Sequence, residues 1–146
     1  MKTLQEYLIA SHAPEDLGKI IMLIADQAGP IRSAFISNQN YAGSTNSSGE
    51  DQAEMDTWAD ARITSVLQES GLVRAVASEE QEDIVQMSPS AKYSVVMDPL
   101  DGSSLIKVNL SVGTIVGIYE GDVLQAGNQL RAAFYMLYGP MTTLTI

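Results

Sequence analysis

The sequence predicts a mixed α/β domain in which two long N-terminal helices are followed by a mixed β-sheet. Apolar residues recur at steps of three and four from Pro14 to Ser37 and again from Met55 to Leu67, as on the buried face of a helix. Apolar, β-branched runs follow, which are typical of strands. Because the chain has 146 residues, 45% of them hydrophobic, it can bury a core as one domain.

The first long helix is predicted over Pro14 to Ser37. Its buried face would consist of Leu17, Ile20, Ile21, Ile24, Ala28, Ile31 and Phe35. Gly29-Pro30 lies inside this segment, and because Pro30 has no N–H, we expect the helix to kink or split there. A shorter helix is predicted from Thr3 to Ala10. His12 lies between the two and is interpreted as a capping or surface residue.

The second long helix is predicted to begin near Glu50 and to end at Gly71. The preceding segment, Asn38 to Gly49, is small and polar, which predicts an exposed, mobile loop, and Ser47 has capping-box spacing to Glu50. The first turns of this helix carry the acids Glu50, Asp51, Glu54, Asp56 and Asp60. Acids near a helix N-terminus are favoured by the helix dipole, so this pattern alone indicates a solvated surface.

Strand-like and helical spacing alternate in the second half of the sequence. Leu72 to Ala77 is predicted to be a strand that leads into Ser78-Glu79-Glu80, and Gln81 to Ala91 a connecting loop. Leu110 to Tyr119 is predicted to be another strand. Asn128 to Tyr138 returns to helical spacing and is predicted to be a helix.

Met141 to Ile146 is predicted to be a strand at the end of the sequence. Natural domains seldom end on an apolar strand. We therefore expect residues 1–146 to be the first part of a longer protein.

The stretch from Val95 to Ser104 places two aspartates directly after an apolar run. Asp98 and Asp101 flank Pro99, which stiffens the chain as it leaves the predicted strand. Two carboxylates on a fixed turn suit Mg²⁺, and the following Gly-Ser-Ser offers N–H and hydroxyl groups to a phosphate. The glutamates after Ser78 would join this site if the two strands are neighbours, since such strands lie about 5 Å apart.

Composition excludes several classes of function. The formal charge of −10 and the pI near 4.3 argue against a nucleic-acid partner and against an anionic membrane surface. The sequence has no cysteine, which excludes disulfides and is compatible with the cytoplasm, where we expect the protein. We see neither a signal peptide nor an apolar stretch of transmembrane length.

Five motifs together resemble the fructose-1,6-bisphosphatase family and the related sedoheptulose-1,7-bisphosphatases. They are Gly43-Ser44-Thr45-Asn46, Gly49-Glu50 with Met55-Asp56, Ser78-Glu79-Glu80, Asp98-Pro99-Leu100-Asp101-Gly102-Ser103-Ser104, and Ser111-Val112-Gly113-Thr114-Ile115. Lys92-Tyr93 also matches. The resemblance implies that residues 1–146 are the N-terminal metal-binding and catalytic domain, the first half of a layered αβαβα sandwich. The C-terminal half, which supplies most sugar contacts, would be absent.

The resemblance also implies roles for individual residues. The metal-binding positions are occupied by Glu50, Glu79, Asp98, Asp101 and, through its carbonyl, Leu100. The positions that receive the phosphate are occupied by Asp101, Gly102, Ser103 and Ser104. Asp56 and Glu80 match the pair that activates the attacking water. The implied ion is Mg²⁺, or else Mn²⁺, and the family usually has aspartate where this chain has Glu50.

The implied activity is hydrolysis of the 1-phosphate of fructose 1,6-bisphosphate in gluconeogenesis, by a full-length protein that is a homo-oligomer. The 146 residues alone are expected to have little activity. Leu105, a branched aliphatic residue after the Ser-Ser pair, resembles the sedoheptulose branch instead. Two further functions fit the same acidic motifs: an inositol-monophosphatase-like phosphatase, and a non-catalytic Mg²⁺-binding or oligomerising fragment. Pro14 interrupts the segment that corresponds to the AMP phosphate loop, so we predict no strong AMP inhibition.

Overall fold

The structure is a computed structural model that describes residues 2–37 and 50–146, without the side chains of residues 36, 37, 50–54 and 107. The described part contains four α-helices followed by a six-stranded sheet. The helices are α1 (Leu4–Ala10), α2 (Glu15–Ala25), α3 (Ala28–Ser37) and α4 (Glu50–Ser70). The strands are β1 (Val73–Ser78), β2 (Val85–Gln86), β3 (Tyr93–Asp101), β4 (Val112–Glu120), β5 (Leu130–Tyr138) and β6 (Thr142–Thr145). The predicted mixed α/β class is confirmed.

The predicted split of the first long helix is confirmed, but it lies before Gly29-Pro30. A turn at Asp26 and Gln27 separates α2 from α3, and the Ile31 N–H donates to the Gln27 carbonyl at 3.0 Å. Pro30 therefore falls in the first turn of α3, where no intrahelical N–H bond is required. The predicted helix near the N-terminus is α1, which Thr3 and Glu6 cap reciprocally.

The long helix α4 covers the sheet. It ends at Ser70, and Gly71 follows as the predicted stop, with a φ of +66° that suits a residue without a side chain. Its buried apolar stripe is Met55, Ala59, Ile63 and Leu67. This stripe faces β1 and β3, and α2 packs against α4 in turn. None of the described helices is both long and apolar enough to cross a lipid bilayer.

The strand order is β2-β1-β3-β4-β5-β6. β1 and β3 are parallel, whereas every other neighbouring pair is antiparallel. The predicted strands of the second half correspond to β1, β3, β4 and β6. The predicted loop Gln81 to Ala91 contains the short strand β2, which pairs with β1.

The predicted helix over Asn128 to Tyr138 is wrong, because this segment is a three-residue 3₁₀ turn followed by strand β5. Phe134, Met136 and Tyr138 point into the core at steps of two, while Leu137 between them is exposed. A step of four, such as Phe134 to Tyr138, fits both a helix and a strand. Pairing with β4 on one side and β6 on the other selects the strand.

Candidate active site

The parallel pair β1 and β3 brings two acidic segments to the same edge of the sheet. Ser78 lies opposite Met97, and the Glu79 N–H donates to the Met97 carbonyl at 3.0 Å. Glu79 therefore lies beside Asp98. This confirms the expectation that the strands ending in Ser78-Glu79-Glu80 and in Asp98 are neighbours.

The sequence pattern predicts that the strand ends at Asp98. In the structure β3 instead continues through a bulge to Asp101. Asp98 is opposite Ile115 and Asp101 is opposite Gly113, so β3 has one more residue than β4 over this interval. The Leu100 N–H donates to Asp98 Oδ1 at 3.0 Å. The bulge therefore lies between the two aspartates, while Asp98 and Asp101 themselves each pair with β4.

Among the described acids of the site, Asp98 has the largest pKa shift. Burial raises the pKa of Asp98 to about 6; the Leu100 N–H opposes this shift, and the Glu79 and Asp101 carboxyls add to it. Like charges that crowd in this way have a strong affinity for a cation.

Helix α4 contributes Asp56, which is only 9% exposed. Its Oδ2 accepts a hydrogen bond from Ser103 Oγ at 3.0 Å, whereas its buried Oδ1 has no hydrogen-bond partner among the described residues. Burial raises the pKa of Asp56, the bond from Ser103 lowers it, and the charge of Glu79 raises it again. The interpretation of Asp56 as part of a solvated acidic face is therefore wrong.

Asp60 is a further buried acid. From the sequence it was expected on a solvated surface, together with the other acids near the N-terminus of α4. It is 5% exposed, its Oδ2 accepts from Gln81 Nε2 at 2.5 Å, and its Oδ1 has no partner in the described part of the chain. The spacing of four from Asp56 places both acids on one face of α4, which is the signal that could have identified it.

Glu80 is exposed, but it lies close enough to the same group of acids for their charges to act on it. Partial burial raises the pKa of Glu80, and the charges of Asp56, Glu79 and Asp60 raise it further. The structure therefore brings the acids of α4, of the segment after β1 and of β3 into electrostatic contact.

The predicted phosphate turn follows β3 directly. Gly102 has a φ of +76°, and Ser103 begins a 3₁₀ helix that runs to Val108. The Leu105 N–H donates to the Gly102 carbonyl at 2.8 Å, which closes the turn. A cleft of about 200 Å³ opens beside Asp101 and Gly102. A larger cleft of about 480 Å³ lies between α1 and α2, away from these acids.

The donor set fits a hard divalent cation. No three His, Asp or Glu side chains within the described ranges are already arranged around a metal position. However, all the converging ligands are oxygens, and one oxygen of Asp56 and one of Asp60 are buried without a partner in the described part of the chain. Unpaired buried carboxylate oxygens are costly unless a cation or water satisfies them. Glu50 begins α4, but its side chain lies outside the described residues, as does the predicted loop Asn38 to Gly49.

Comparison with known proteins identifies one family. The sequence model for "Fructose-1-6-bisphosphatase, N-terminal domain" matches residues 7–146. Fructose-1,6-bisphosphatase class 1 of Methanocorpusculum labreanum is 93% identical over the whole of this chain, which covers 46% of that relative. The protein of the same description from Methanospirillum hungatei is 57% identical, again over the whole chain and 48% of the relative. The chain thus spans about half the length of the curated relatives it matches.

Solved structures have the same fold. Holo fructose-1,6-bisphosphatase of Leishmania major matches with a TM-score of 0.82 and 29% identity, covering 98% of this chain and 46% of that one. A candidate sedoheptulose-1,7 bisphosphatase of Toxoplasma gondii matches with a TM-score of 0.80 and 33% identity, covering 99% of this chain and 49% of that one.

Proposed function

This chain belongs to the fructose-1,6-bisphosphatase family, and from that premise we propose that the full-length protein hydrolyses the 1-phosphate of fructose 1,6-bisphosphate with Mg²⁺. The observation that carries the proposal is the parallel pairing of β1 with β3, which places Glu79 beside Asp98 at one edge of the sheet. Mn²⁺ would serve the same oxygen ligands.

The residues proposed to hold the cation are Glu50, Glu79, Asp98, Asp101 and the Leu100 carbonyl. The raised pKa of Asp98, to about 6, results from burial and from the nearby acids and supports this assignment, because a divalent cation would offset that repulsion. A bound Mg²⁺ would acidify water and neutralise charge on the phosphoryl oxygens.

Asp56 and Glu80 are proposed to accept the proton of the attacking water. Burial raises the pKa of both carboxyls, which brings each closer to the pH at which it works as a base. Asp56 Oδ1 is buried and has no hydrogen-bond partner in the described part of the chain, so no other donor already uses this acceptor. Ser103 would keep the carboxylate oriented through Oδ2.

The turn of Gly102, Ser103 and Ser104, next to Asp101, is proposed to receive the 1-phosphate. Backbone N–H groups of such a turn and the Ser104 hydroxyl are suitable donors to phosphoryl oxygens, whereas the single hydroxyl proton of Ser103 goes to Asp56. The water oxygen would form a bond to phosphorus while the bond from phosphorus to the sugar oxygen breaks. The leaving sugar oxygen then takes up a proton. The products are fructose 6-phosphate and inorganic phosphate.

Sedoheptulose 1,7-bisphosphate is a second candidate substrate. Leu105 supports it, as does the similarity to the Toxoplasma gondii protein. We further propose that the full-length protein is a cytoplasmic homo-oligomer of gluconeogenesis, without nucleic-acid or membrane partners. The 146 residues alone would have little activity, because the matched relatives are about twice as long.

Phosphate release across a substrate panel tests this proposal. The full-length protein is incubated with fructose 1,6-bisphosphate, sedoheptulose 1,7-bisphosphate or inositol monophosphate, with Mg²⁺ or with EDTA. We expect the highest kcat/KM for fructose 1,6-bisphosphate, and no phosphate release from any substrate in EDTA. A preference for sedoheptulose 1,7-bisphosphate or for inositol monophosphate would assign that substrate instead. Mg²⁺ binding without phosphate release would indicate a non-catalytic protein.

A further inference from the structure

Two buried hydroxyl groups connect the sheet to the backbone between Asp98 and Asp101. Thr114 on β4 is fully buried, and its Oγ1 donates to the Pro99 carbonyl at 2.9 Å. The hydroxyl of Tyr138 on β5 lies 2.7 Å from Thr114 Oγ1. Tyr138 pairs with Val112, two residues from Thr114, so the two side chains are diagonal neighbours on one face of the sheet.

The direction of these hydrogen bonds is fixed by the number of protons. A carbonyl oxygen can only accept, so the single hydroxyl proton of Thr114 goes to Pro99. Tyr138 must therefore donate to Thr114 Oγ1. Burial raises the pKa of Tyr138 to about 12, against the opposing effect of the hydrogen bond to Thr114, so this hydroxyl is even less prone to lose its proton than an ordinary tyrosine. The Tyr138 ring packs edge-on against Phe35 of α3, with centroids 5.6 Å apart.

The Pro99 carbonyl and the Leu100 N–H belong to the same peptide group, whose atoms lie in one plane. Thr114 holds the carbonyl end at 2.9 Å, and Asp98 Oδ1 accepts from the N–H end at 3.0 Å. The three donors thus form one chain of hydrogen bonds from Tyr138 to the Asp98 carboxylate, an arrangement in which each bond polarises the next. Rotation of this peptide plane would break the bonds at both ends.

The bulge makes a side-chain donor necessary at this position. Pro99 has no N–H for the sheet, and the regular register between β3 and β4 is lost between Asp98 and Asp101. A buried carbonyl without a donor is costly, and Thr114, opposite the irregular stretch, supplies one from its side chain.

We propose that Thr114 and Tyr138 are positioning residues that fix the Asp98 carboxylate in the orientation required for cation binding. The inference rests on the proposed function, because it assigns Asp98 to the metal site. In this role both hydroxyls act only through the peptide between Pro99 and Leu100.

The inference is tested by measuring how tightly the full-length protein binds Mn²⁺ without substrate. The EPR signal of free Mn²⁺ is the readout. Thr114→Val keeps the shape of the side chain but removes the donor, and we expect about tenfold weaker Mn²⁺ binding, as for other residues that orient a ligand. Thr114→Ser keeps the hydroxyl and should bind within about twofold of wild type. Ser94→Ala is the matched control, because it removes another buried hydroxyl that donates to a carbonyl, at Gly121.

Tyr138→Phe provides a second test that does not depend on the folding of Thr114→Val. It retains the ring against Phe35 and loses only the hydroxyl, and we expect about threefold weaker Mn²⁺ binding. Its control is Tyr119→Phe, which loses a hydroxyl bonded to the Gln125 carbonyl near the other end of β4. Circular dichroism in EDTA identifies which variants are folded.

The outcomes separate the inference from the proposed function. Wild-type Mn²⁺ affinity in folded Tyr138→Phe, or in folded Thr114→Val, overturns the inference, as does equal weakening in the control variants. If Asp98→Asn abolishes Mn²⁺ binding at the same time, the proposed function is retained. Mn²⁺ binding that survives Asp98→Asn overturns the proposed metal site itself.

Discussion

Ser103 Oγ donates to Asp56 Oδ2 at 3.0 Å, although the two residues are 47 positions apart in the sequence. This bond joins the turn after β3 to helix α4, and therefore joins the proposed phosphate site to the proposed base. It stabilises the ionised form of Asp56, while burial and Glu79 stabilise the protonated form.

Ser103→Ala should consequently shift the pH dependence of the full-length enzyme. Loss of the donor raises the pKa of Asp56 further, so the base becomes protonated at higher pH. We expect the acidic limb of the kcat–pH profile to move to higher pH, and kcat at pH 7 to fall by about tenfold. Ser90→Ala, in an exposed part of the chain, is the control. An unshifted acidic limb would show that Asp56 is not the base.

Asp98→Asn should stabilise the protein in EDTA. The pKa of Asp98 is raised by burial from 3.8 to about 6, so the folded state binds the proton more tightly than the unfolded state. Stability from this group is therefore complete below about pH 3.8 and is lost as the pH rises to about 6.

At pH 7 we expect urea denaturation in EDTA to give a higher free energy of unfolding for Asp98→Asn, because the amide has no charge that burial would disfavour. The expected gain is only about 1 kcal/mol, since water screens the partly exposed carboxylate of the wild type. Mg²⁺ should raise the stability of the wild type and leave that of the variant unchanged. Equal stabilisation of both proteins by Mg²⁺ would exclude Asp98 as a ligand.

Gly113→Ala should separate two strands beside the site. A Cβ at Gly113 would lie 2.7 Å from the Met136 carbonyl oxygen of β5, which is backbone and has little freedom to move. We expect a loss of about 2 kcal/mol in the free energy of unfolding. Gly127→Ala is the matched control, since a Cβ there meets nothing within 4 Å, and it should be near neutral. Similar losses in both variants would contradict this account of the β4–β5 contact.

The elements that the sequence predicted correctly are those whose periodicity is unambiguous. The apolar stripe of α4 repeats over several turns, and β1, β3 and β4 are β-branched runs bounded by polar residues. For β5 the spacing of Phe134 and Tyr138 fits both periods, so only the neighbouring strands decide between helix and strand. The two-residue strand β2 is too short to show any periodicity.

The sequence identifies most acids of the candidate site, but not how deeply each is buried or which residues it contacts. Asp98, Asp101 and Glu79 lie at the ends of apolar runs, which is a local signal. The burial of Asp60 depends on the packing of α4 against the sheet, and the link from Tyr138 to Pro99 depends on the strand register. Such long-range pairings have no signature in the local sequence. The metal-binding, catalytic and phosphate-binding roles all stay predictions, for Glu50, Asp56, Glu79, Glu80, Asp98, Leu100, Asp101, Gly102, Ser103 and Ser104.

The most direct test of the central claim is steady-state phosphate release from fructose 1,6-bisphosphate by the full-length protein and its Glu79→Gln and Asp101→Asn variants. If the ends of β1 and β3 form the catalytic centre, release depends on Mg²⁺, and kcat in each variant falls by about a thousandfold. Circular dichroism provides the control for folding. Turnover in EDTA, or wild-type kcat in either folded variant, would contradict the account.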